Sequence, residues 1–284
     1  MPTQTAMCMQ TGLIFLLDRL TPEGYSELYR SFYRPLVSAF FNRTTDVKHI
    51  QQNQITYATR LAHLLRNFLS PGAGATLLDV GGSTGTVAEK FVQQFGYQAT
   101  VIDPAPDELQ VARSKGMNVF EGFVEDYPEG EQFDLVLMCQ TIEHLNDLAG
   151  ALASIRNLTS PEGYFYVDIV DFFQACALYG SIEAALHIDH CYNFTHEAAV
   201  HLFNSLGWQI MLVDTTLQVG HVGYLLKPVN EPLTVSPLDT QAHLLKIQQI
   251  QTEWQLASRQ KPQNMIHKLK RTAYRLKKRI AGPR

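Results

Sequence analysis

Short apolar runs alternate with amphipathic stretches through the middle of the chain. Compact apolar runs bounded by Gly, Pro or Asp are typical of buried strands, whereas apolar residues at every third or fourth position are typical of helices. The pattern predicts strands at residues 75–80, 98–102, 117–123, 133–138 and 164–170, with helices at 107–115 and 146–158. This alternation predicts an α/β fold, doubly wound around a mostly parallel sheet.

The pattern changes towards the end of this region. A helix is predicted from Thr195 to Asn204, and two strands follow at 208–217 and 222–226. Only four residues, 218–221, separate these two strands, and so short a link requires antiparallel pairing. The predicted sheet therefore has seven strands and ends in an antiparallel hairpin.

Both flanks of the predicted sheet look helical. Before it, aromatic residues between 25 and 33 recur at helical spacing, and a second helix is predicted at 50–69. After it, an apolar stripe between 266 and 280 runs among basic residues and predicts a basic amphipathic helix. The chain is thus divided into a helical cap or lid segment (1–70), a sheet domain (71–228), a linker (229–239) and a helical extension (240–284) ending in the basic helix.

Charge is unevenly distributed along the chain. Residues 254–284 carry ten Lys or Arg and no acid, so the other 253 residues hold 13 basic and all 27 acidic side chains, although the whole chain has a net charge of only −4. A basic helix beside an acidic body predicts that residues 261–284 pack on that body or on a second copy. The next alternative is peripheral contact with an anionic membrane at its inner face. Nucleic acid is disfavoured as a partner because the body shows no basic groove.

The four cysteines, Cys8, Cys139, Cys176 and Cys191, lie far apart and form no Cys-x-x-Cys pair. Their spacing argues against a disulfide framework or a zinc cluster and fits a reducing cytoplasm. The apolar run at 13–17 is only five residues long, and no basic segment precedes it. Neither a signal peptide nor a membrane span is therefore predicted.

One stretch, residues 77–85 (LLDVGGSTG), joins a buried strand to a glycine-rich turn and the start of a helix. The free N–H groups of such a turn face the crevice where doubly wound sheets bind ligands. The next strand ends in Asp103, 24 residues after Asp79, which is the spacing of an acid that binds ribose hydroxyls. Together they predict a nucleotide-like cofactor; the alternatives are a turn that needs glycine only for its geometry and an Asp that only caps a helix.

The ordered set of motifs resembles that of the class I S-adenosylmethionine-dependent methyltransferases. The similar segments are the first motif at 79–85, the adenine-lining segment at 122–128, the fourth-strand signature ending in Glu-His at 133–145, the turn at 160–163 and the step into the hairpin at 203–208. The resemblance covers about residues 50–227. It implies a Rossmann-like methyltransferase fold and S-adenosyl-L-methionine as the cofactor.

The resemblance also implies roles for individual residues around that cofactor. Asp79 is expected near the methionine amino group and Asp103 at the ribose. The residues after the second and third strands are expected to line the adenine, and those ending the fourth strand to lie near the sulfonium and the acceptor. The implied set is Asp79, Gly81, Gly82, Ser83, Thr84, Gly85, Asp103, Pro104, Val124, Glu125, Cys139 and Gln140.

Ser83 departs from the family pattern, because it stands where the second glycine of the motif usually is. The change creates Gly-x-Ser-x-Gly, the pattern of the nucleophile elbow in α/β-hydrolases, for which Asp171 and either His190 or His221 would be the partners. Three features weigh against a hydrolase: the turn follows the first strand of the sheet, Asp103 would have no role, and an antiparallel hairpin does not end that fold.

Methyl transfer of this kind is an in-line displacement in which the protein mainly positions the reactants. A base is needed only if the acceptor is a hydroxyl or an acidic carbon, and the candidates are His144, His187 and His190, with an ordinary structural role as the alternative for each. Residues 187–191 (HIDHC) contain four possible metal ligands, but so tight a cluster specifies no open tetrahedral set, and no metal is predicted. Candidate lid residues, with helix packing as the alternative, are Tyr25, Tyr29, Arg34, Gln54 and Tyr57.

The sequence therefore predicts an S-adenosylmethionine-dependent methyltransferase that acts on a small-molecule acceptor. The variant first motif, the helical N-terminal segment and the histidine-containing loop are similar to those of bacterial enzymes that methylate sugars or surface-polysaccharide precursors. The alternatives are an α/β-hydrolase with Ser83 as its nucleophile and a protein that binds S-adenosylmethionine without catalysis.

Overall fold

The structure is a computed structural model, which describes residues 4–40, 47–187, 189–231, 233 and 237–260. In chain order the strands are β1 Thr5–Met7, β2 Ile14–Leu16, β3 Thr76–Val80, β4 Gln98–Asp103, β5 Asn118–Glu121, β6 Phe133–Met138, β7 Thr159–Val170, β8 Tyr192–Asn193, β9 Trp208–Asp214 and β10 His221–Pro228. The helices are α1 Pro22–Glu27, α2 Tyr33–Phe40, α3 Val47–Leu65, α4 Thr86–Phe95, α5 Pro106–Ser114, α6 Leu148–Leu158, α7 Phe172–Tyr179, α8 Ile182–Ala185, α9 His196–Ser205 and α10 Thr240–Gln260. A π-helical segment, Leu28–Phe32, joins α1 to α2.

Seven strands form the main sheet in the order β5-β4-β3-β6-β7-β10-β9. The pairs from β5 to β7 are parallel, and β10 is antiparallel to both β7 and β9. The predicted α/β sheet with a terminal antiparallel hairpin is confirmed. The strand order reverses between β3 and β6, so the crevice at their carboxyl ends is the place where doubly wound sheets bind ligands.

Apolar side chains cover both faces of this sheet. On one face α3 presents Ala58, Leu61 and Leu65, which are buried at helical spacing against the sheet and α4. On the other face Phe165 packs on Trp208, with ring centroids 5.2 Å apart. The helix predicted at 50–69 is thus found as α3, but it ends a turn earlier than expected, before residues 70–72 (SPG).

The expectation that residues 1–70 are helical is wrong for two short segments. β1 and β2 are strands, and they form a second, three-stranded antiparallel sheet with β8. The backbone N of Leu16 also donates to the carbonyl O of Cys191 at 3.0 Å. The partner strand lies far along the chain, so no local pattern could have indicated this pairing.

One predicted strand ends earlier than expected, at a residue whose side chain caps it. The strand expected at 208–217 stops at Asp214, whose carboxylate accepts hydrogen bonds from the backbone N of Thr216 and of Leu217 at 3.0 and 2.9 Å.

The predicted basic helix at 261–284 lies outside the described residues. In the part of the chain that is described, none of the helices has the length and apolarity needed to cross a bilayer.

Candidate functional site

The glycine-rich turn between β3 and α4 depends on backbone geometry that only small residues tolerate. Gly81 and Gly85 have φ angles of 68° and 66°, in the left-handed region, and Ser83 has a φ of 53°. A Cβ atom on Gly81 would lie 2.5 Å from the side chain of Thr141, and one on Gly85 would lie 2.9 Å from Met117. The glycines are therefore required by close packing as well as by the turn itself.

Asp103 holds the turn from the neighbouring strand. One carboxylate oxygen accepts a hydrogen bond from the backbone N of Ser83 and the other accepts one from Ala105, both at 2.9 Å. Burial, and then the charge of Glu108, raise the pKa of Asp103 to about 7. The helix cap that the sequence left as an alternative is not formed, because the N-cap of α5 is Ala105 and this end of the helix has no side-chain cap hydrogen bond. Each oxygen of Asp103 keeps a second lone pair for a ribose hydroxyl.

Ser83 is tied to a residue that sequence reasoning missed. Its hydroxyl donates to Glu108 on α5, and Glu108 accepts a second hydrogen bond from Nε of Arg34 at 2.6 Å. Asp171, nominated as a hydrolase acid, accepts from the backbone N of Gln174 at the start of α7. Since the serine is engaged by a carboxylate and the acid by a helix terminus, the geometry is not that of a nucleophile elbow.

Asp79 lies beneath the turn and is almost fully buried. Its Oδ2 atom has no hydrogen-bond partner among the described residues, and it would lie 2.7 Å from a Cβ atom on Gly82. Burial raises the pKa of Asp79 to about 7. A buried carboxylate oxygen without a partner is the feature that a cationic amino group of a ligand would satisfy.

The expected adenine-lining residues meet at the carboxyl ends of β4 and β5. Pro104 follows β4 directly and is half-buried, whereas Val124 is buried in a 3₁₀ turn, Val124–Asp126, after β5. The Oε2 atom of Glu125 in that turn is buried and has no partner among the described residues. Thr84, another residue expected at the cofactor, has its hydroxyl in a hydrogen bond to Oε1 of Gln54 on α3, at 3.2 Å.

Cys139 and Gln140 end β6 next to the glycine turn. Gln140 has a φ of 54°, and its backbone N donates to Oδ1 of Asp168 at 2.7 Å. Burial, and then the charge of Asp168, raise the pKa of the Cys139 thiol well above its usual range, which keeps the thiol neutral. Sequence reasoning missed Asp168, although a lone acid in the apolar run 164–170 was a usable signal.

A cavity of about 270 Å³ opens beside Gln140 at the carboxyl ends of β6 and β7. The three predicted catalytic histidines line it, together with a fourth histidine on β10 and a tyrosine on α2. Among its lining residues are Tyr33, Gln140, His144, His187, His190 and His221. The structure therefore brings together residues that the sequence distributes over five separate segments.

The histidines on one wall of this cavity lie in mutual contact. The rings of His144 and His190 are 4.8 Å apart and perpendicular, and those of His187 and His190 are 4.7 Å apart. Burial, followed by the neighbouring histidines, lowers the pKa of His190 to about 2, so this imidazole is neutral at physiological pH. Cys191 is turned elsewhere, since its sulfur lies 2.6 Å from the hydroxyl of Tyr25.

The fourth histidine of the cavity, His221, lies beside a buried carboxylate. Nδ1 of His221 lies 3.6 Å from Oδ2 of Asp168, and Nε2 of His221 lies 2.9 Å from the amide N of Gln218. Asp168 also accepts a hydrogen bond from the hydroxyl of Tyr57 at 3.1 Å. The sequence offers His221 only as a possible partner of Ser83 in a hydrolase.

The N-terminal helices cover this end of the sheet, as the lid hypothesis requires. Besides Arg34, Gln54 and Tyr57, Tyr29 contributes through an edge contact with His144, their ring centroids lying 6.4 Å apart. Arg30 adds an ion pair to Glu121 at 3.0 Å. The lid function itself stays a prediction.

The sheet order, the glycine turn after its first central strand and the buried acid one strand later define the fold of class I S-adenosylmethionine-dependent methyltransferases. The family model described as a methyltransferase domain matches residues 51–213, and the chain belongs to this family, whose cofactor is S-adenosyl-L-methionine. The expected family is confirmed, and the hydrolase alternative is set aside. The unpartnered oxygen of Asp79, the positive-φ turn and the free lone pairs of Asp103 fit that cofactor.

Individual relatives agree with this assignment. A ubiquinone biosynthesis O-methyltransferase from Methylobacterium sp. (strain 4-46) is 31% identical over 110 residues, which are 36% of this chain and 43% of the relative. The enzyme of the same description from Ruegeria pomeroyi is 26% identical over 190 residues, 56% of this chain and 75% of the relative. The chain spans about half the length of curated relatives such as the first.

Two solved structures show the same fold. An S-adenosylmethionine-dependent methyltransferase from Clostridium acetobutylicum superposes with a TM-score of 0.51 at 14% identity, covering 70% of this chain and 98% of that one. Magnesium protoporphyrin IX methyltransferase from Synechocystis PCC 6803 superposes with a TM-score of 0.53 at 12% identity, covering 71% and 95%. At these identities the likeness concerns the fold alone.

Proposed function

We propose that this protein transfers a methyl group from S-adenosylmethionine to a hydroxyl group of a small-molecule acceptor held in the histidine-lined cavity. The observation that carries the proposal is the pair of His221 and Asp168: His221 lines the cavity together with Gln140, and Asp168 lies behind it and accepts from the backbone N of Gln140. When bound, the cofactor supplies an electrophilic methyl group on its sulfonium. A hydroxyl acceptor needs a base at that point, whereas an amine needs none.

Each partner in this pair has a distinct task. Asp168 faces Nδ1 of His221, which favours the tautomer with hydrogen on Nδ1 and a lone pair on Nε2. Nε2, which accepts from the amide of Gln218, is then the atom that takes the hydroxyl proton as the acceptor oxygen attacks. His144, His187 and His190 form the facing wall and position the acceptor.

The cofactor is proposed to lie over the glycine turn. Asp79 faces its amino group, Asp103 its ribose, and the segment around Val124 its adenine. Cys139 is neutral and buried, so it adds shape and no charge near the sulfonium.

The size of the cavity limits the acceptor. Its volume of about 270 Å³ is just below the range of ~300–1,000 Å³ found for small-molecule sites. We expect it to hold one substituted ring, which includes both the sugar that the sequence suggested and the aromatic ring of a phenol. The O-methyltransferase names of the relatives support an oxygen acceptor.

Calorimetry and a transfer assay test the proposal together. S-adenosylhomocysteine is titrated into the wild type, Asp103→Ala, Ser83→Ala and the exposed control Glu129→Gln. We expect binding by the wild type and the control, and at least about tenfold weaker binding by Asp103→Ala, since one lost hydrogen bond to a charged group is worth about 1.4 kcal/mol or more. Absence of binding by the wild type would refute the cofactor site.

The transfer assay uses methyl-labelled S-adenosylmethionine with a panel of nucleotide sugars, free sugars, phenols and matched amines. Label is expected on hydroxylated members and not on their amine counterparts. Transfer to amines alone, or to no hydroxyl compound, would contradict the proposed acceptor chemistry.

We also propose a compartment for the protein and a partner for its basic segment. The four cysteines are free, which supports a reducing compartment such as the cytoplasm. The basic segment at 261–284 is proposed to engage an acidic protein surface, either of this chain or of a second copy, with an anionic membrane as the competing target.

A further inference from the structure

Three side chains with metal-binding atoms meet on the wall of the cavity that faces His221. His144 lies in the turn that follows β6, and Asp189 and His190 lie in the segment between α8 and β8. One candidate ligand atom from each residue lies within 4.8 Å of the others. This convergence joins segments that are 45 residues apart in the chain, so it is produced by the fold and not by local sequence.

The hydrogen bonding of His144 suits metal binding. Nδ1 of His144 lies 2.9 Å from the carbonyl O of Asp189, and because a carbonyl can only accept, Nδ1 carries the hydrogen and Nε2 keeps its lone pair. Such a bond to a backbone carbonyl is the usual support of a metal-binding histidine. The ring of His190 lies beside that of His144, with the two ring centroids 4.8 Å apart.

Asp189 brings a carboxylate to the cluster. Among the described residues its ion pair is with His144, at 3.9 Å, and this pair has charge only when the histidine is protonated. A dication between the three side chains would offset this negative charge.

The geometry points to a binding site for a divalent transition metal, held by the imidazoles of His144 and His190 and the carboxylate of Asp189. Two nitrogens and one oxygen with an open position resemble the donor sets of catalytic zinc sites. Imidazole donors favour Zn²⁺ over Mg²⁺ or Ca²⁺. Tetrahedral zinc requires ligand atoms about 3.3 Å apart, and the side chain of Asp189, which is 25% exposed, has room to close the difference.

The open position of this metal would face the cavity. An acceptor oxygen bound there would be fixed opposite His221, and the metal would favour its deprotonated form. This role rests on the proposed methyl transfer to a hydroxyl, whereas metal binding itself does not depend on it.

The test measures metal binding directly on the full chain. Protein stripped with a chelator is titrated with Zn²⁺ by calorimetry and with Co²⁺ by visible absorption, without cofactor or acceptor. The variants are Asp189→Asn, which keeps the shape of the side chain, and His144→Ala combined with His190→Ala. The exposed histidine on α3 provides the matched control, His63→Gln.

We expect one Zn²⁺ per wild-type chain, unchanged affinity in His63→Gln, and at least tenfold weaker binding in both ligand variants. The wild-type Co²⁺ complex should show the visible bands of a low-coordinate site, and Asp189→Asn should lose them while its thermal melting stays that of a folded protein. Equal Zn²⁺ binding by the wild type and by folded Asp189→Asn would overturn the site. So would a stoichiometry of zero in a wild type that still binds S-adenosylhomocysteine, which separates this failure from a failure of the cofactor site.

Discussion

Asp168 and His221 face each other across neighbouring strands, β7 and β10, with Oδ2 of the acid 3.6 Å from Nδ1 of the histidine. Asp168 is buried, at 3% exposure, and His221 is half-buried, at 13%. Their contact is a consequence of antiparallel pairing in which His221 lies opposite Val170, next to the end of β7. The strand that ends the sheet in an antiparallel hairpin therefore also supplies the proposed base.

Replacement of His221 by Asn should slow methyl transfer without affecting cofactor binding. Loss of a general base costs about 10²–10⁴-fold, so we expect kcat to fall at least about 100-fold for a hydroxylated acceptor. The dissociation constant of S-adenosylhomocysteine should change less than about twofold, and His63→Gln should match the wild type in both. An unchanged kcat in His221→Asn would remove this histidine from the mechanism.

The stability of the cofactor-free protein should decrease as the pH rises from about 4 to 7. Burial raises the pKa of Asp79 and of Asp103 from 3.8 to about 7, so between these values the folded state binds more protons than the unfolded state. Stability then falls with rising pH. One pKa unit corresponds to about 1.4 kcal/mol, and we expect a loss of at least about 1 kcal/mol in urea unfolding.

Two variants check the source of that loss. Asp79→Asn removes one titrating carboxyl and should flatten the dependence, whereas the exposed Glu129→Gln should leave it unchanged. If stability instead rose between pH 4 and 7 in the wild type and in Asp79→Asn alike, other groups would control the titration.

A pair of glycine substitutions separates backbone strain from steric clash in the turn. Gly81 and Gly116 both have positive φ angles, 68° and 83°, but a Cβ on Gly116 would meet no atom within 4 Å, whereas one on Gly81 would meet Thr141 at 2.5 Å. Gly116→Ala should cost about 1–2 kcal/mol of unfolding free energy from backbone strain. Gly81→Ala should cost more and also weaken binding of S-adenosylhomocysteine. Equal losses of unfolding free energy in both variants would show that the side chain of Thr141 moves aside without an energetic penalty.

Deletion of residues 261–284 should affect self-association more than membrane binding. Nine of the ten basic residues between 254 and 284 lie in this segment and are expected to bind acidic protein surface, so sedimentation velocity at low salt should show a larger or more compact species for the full chain. High salt should remove this difference, because it screens exposed charges. Flotation on anionic liposomes by the full chain and not by the truncated one would favour the membrane instead.

Local patterns predicted the main sheet well. The apolar run at 75–80, the glycine turn after it and the four-residue link at 218–221 are short-range features, and β3, the turn and the antiparallel hairpin appear where those features place them. β1 and β2 pair with each other locally, and only β2 pairs with β8, some 180 residues away. Both were missed because three-residue strands are too short to show a periodicity of their own.

The sequence by itself determined the class of fold, the cofactor and the position of the turn beneath it, since strand periodicity, glycine conformations and the acid after the second strand are local properties. Only the tertiary structure decided which chemical groups meet. It tied Ser83 to Glu108, joined His221 to Asp168, and collected His144, Asp189 and His190 on one wall. These contacts arise where parallel strands end at a common edge, and that edge gathers residues from segments that no spacing rule connects.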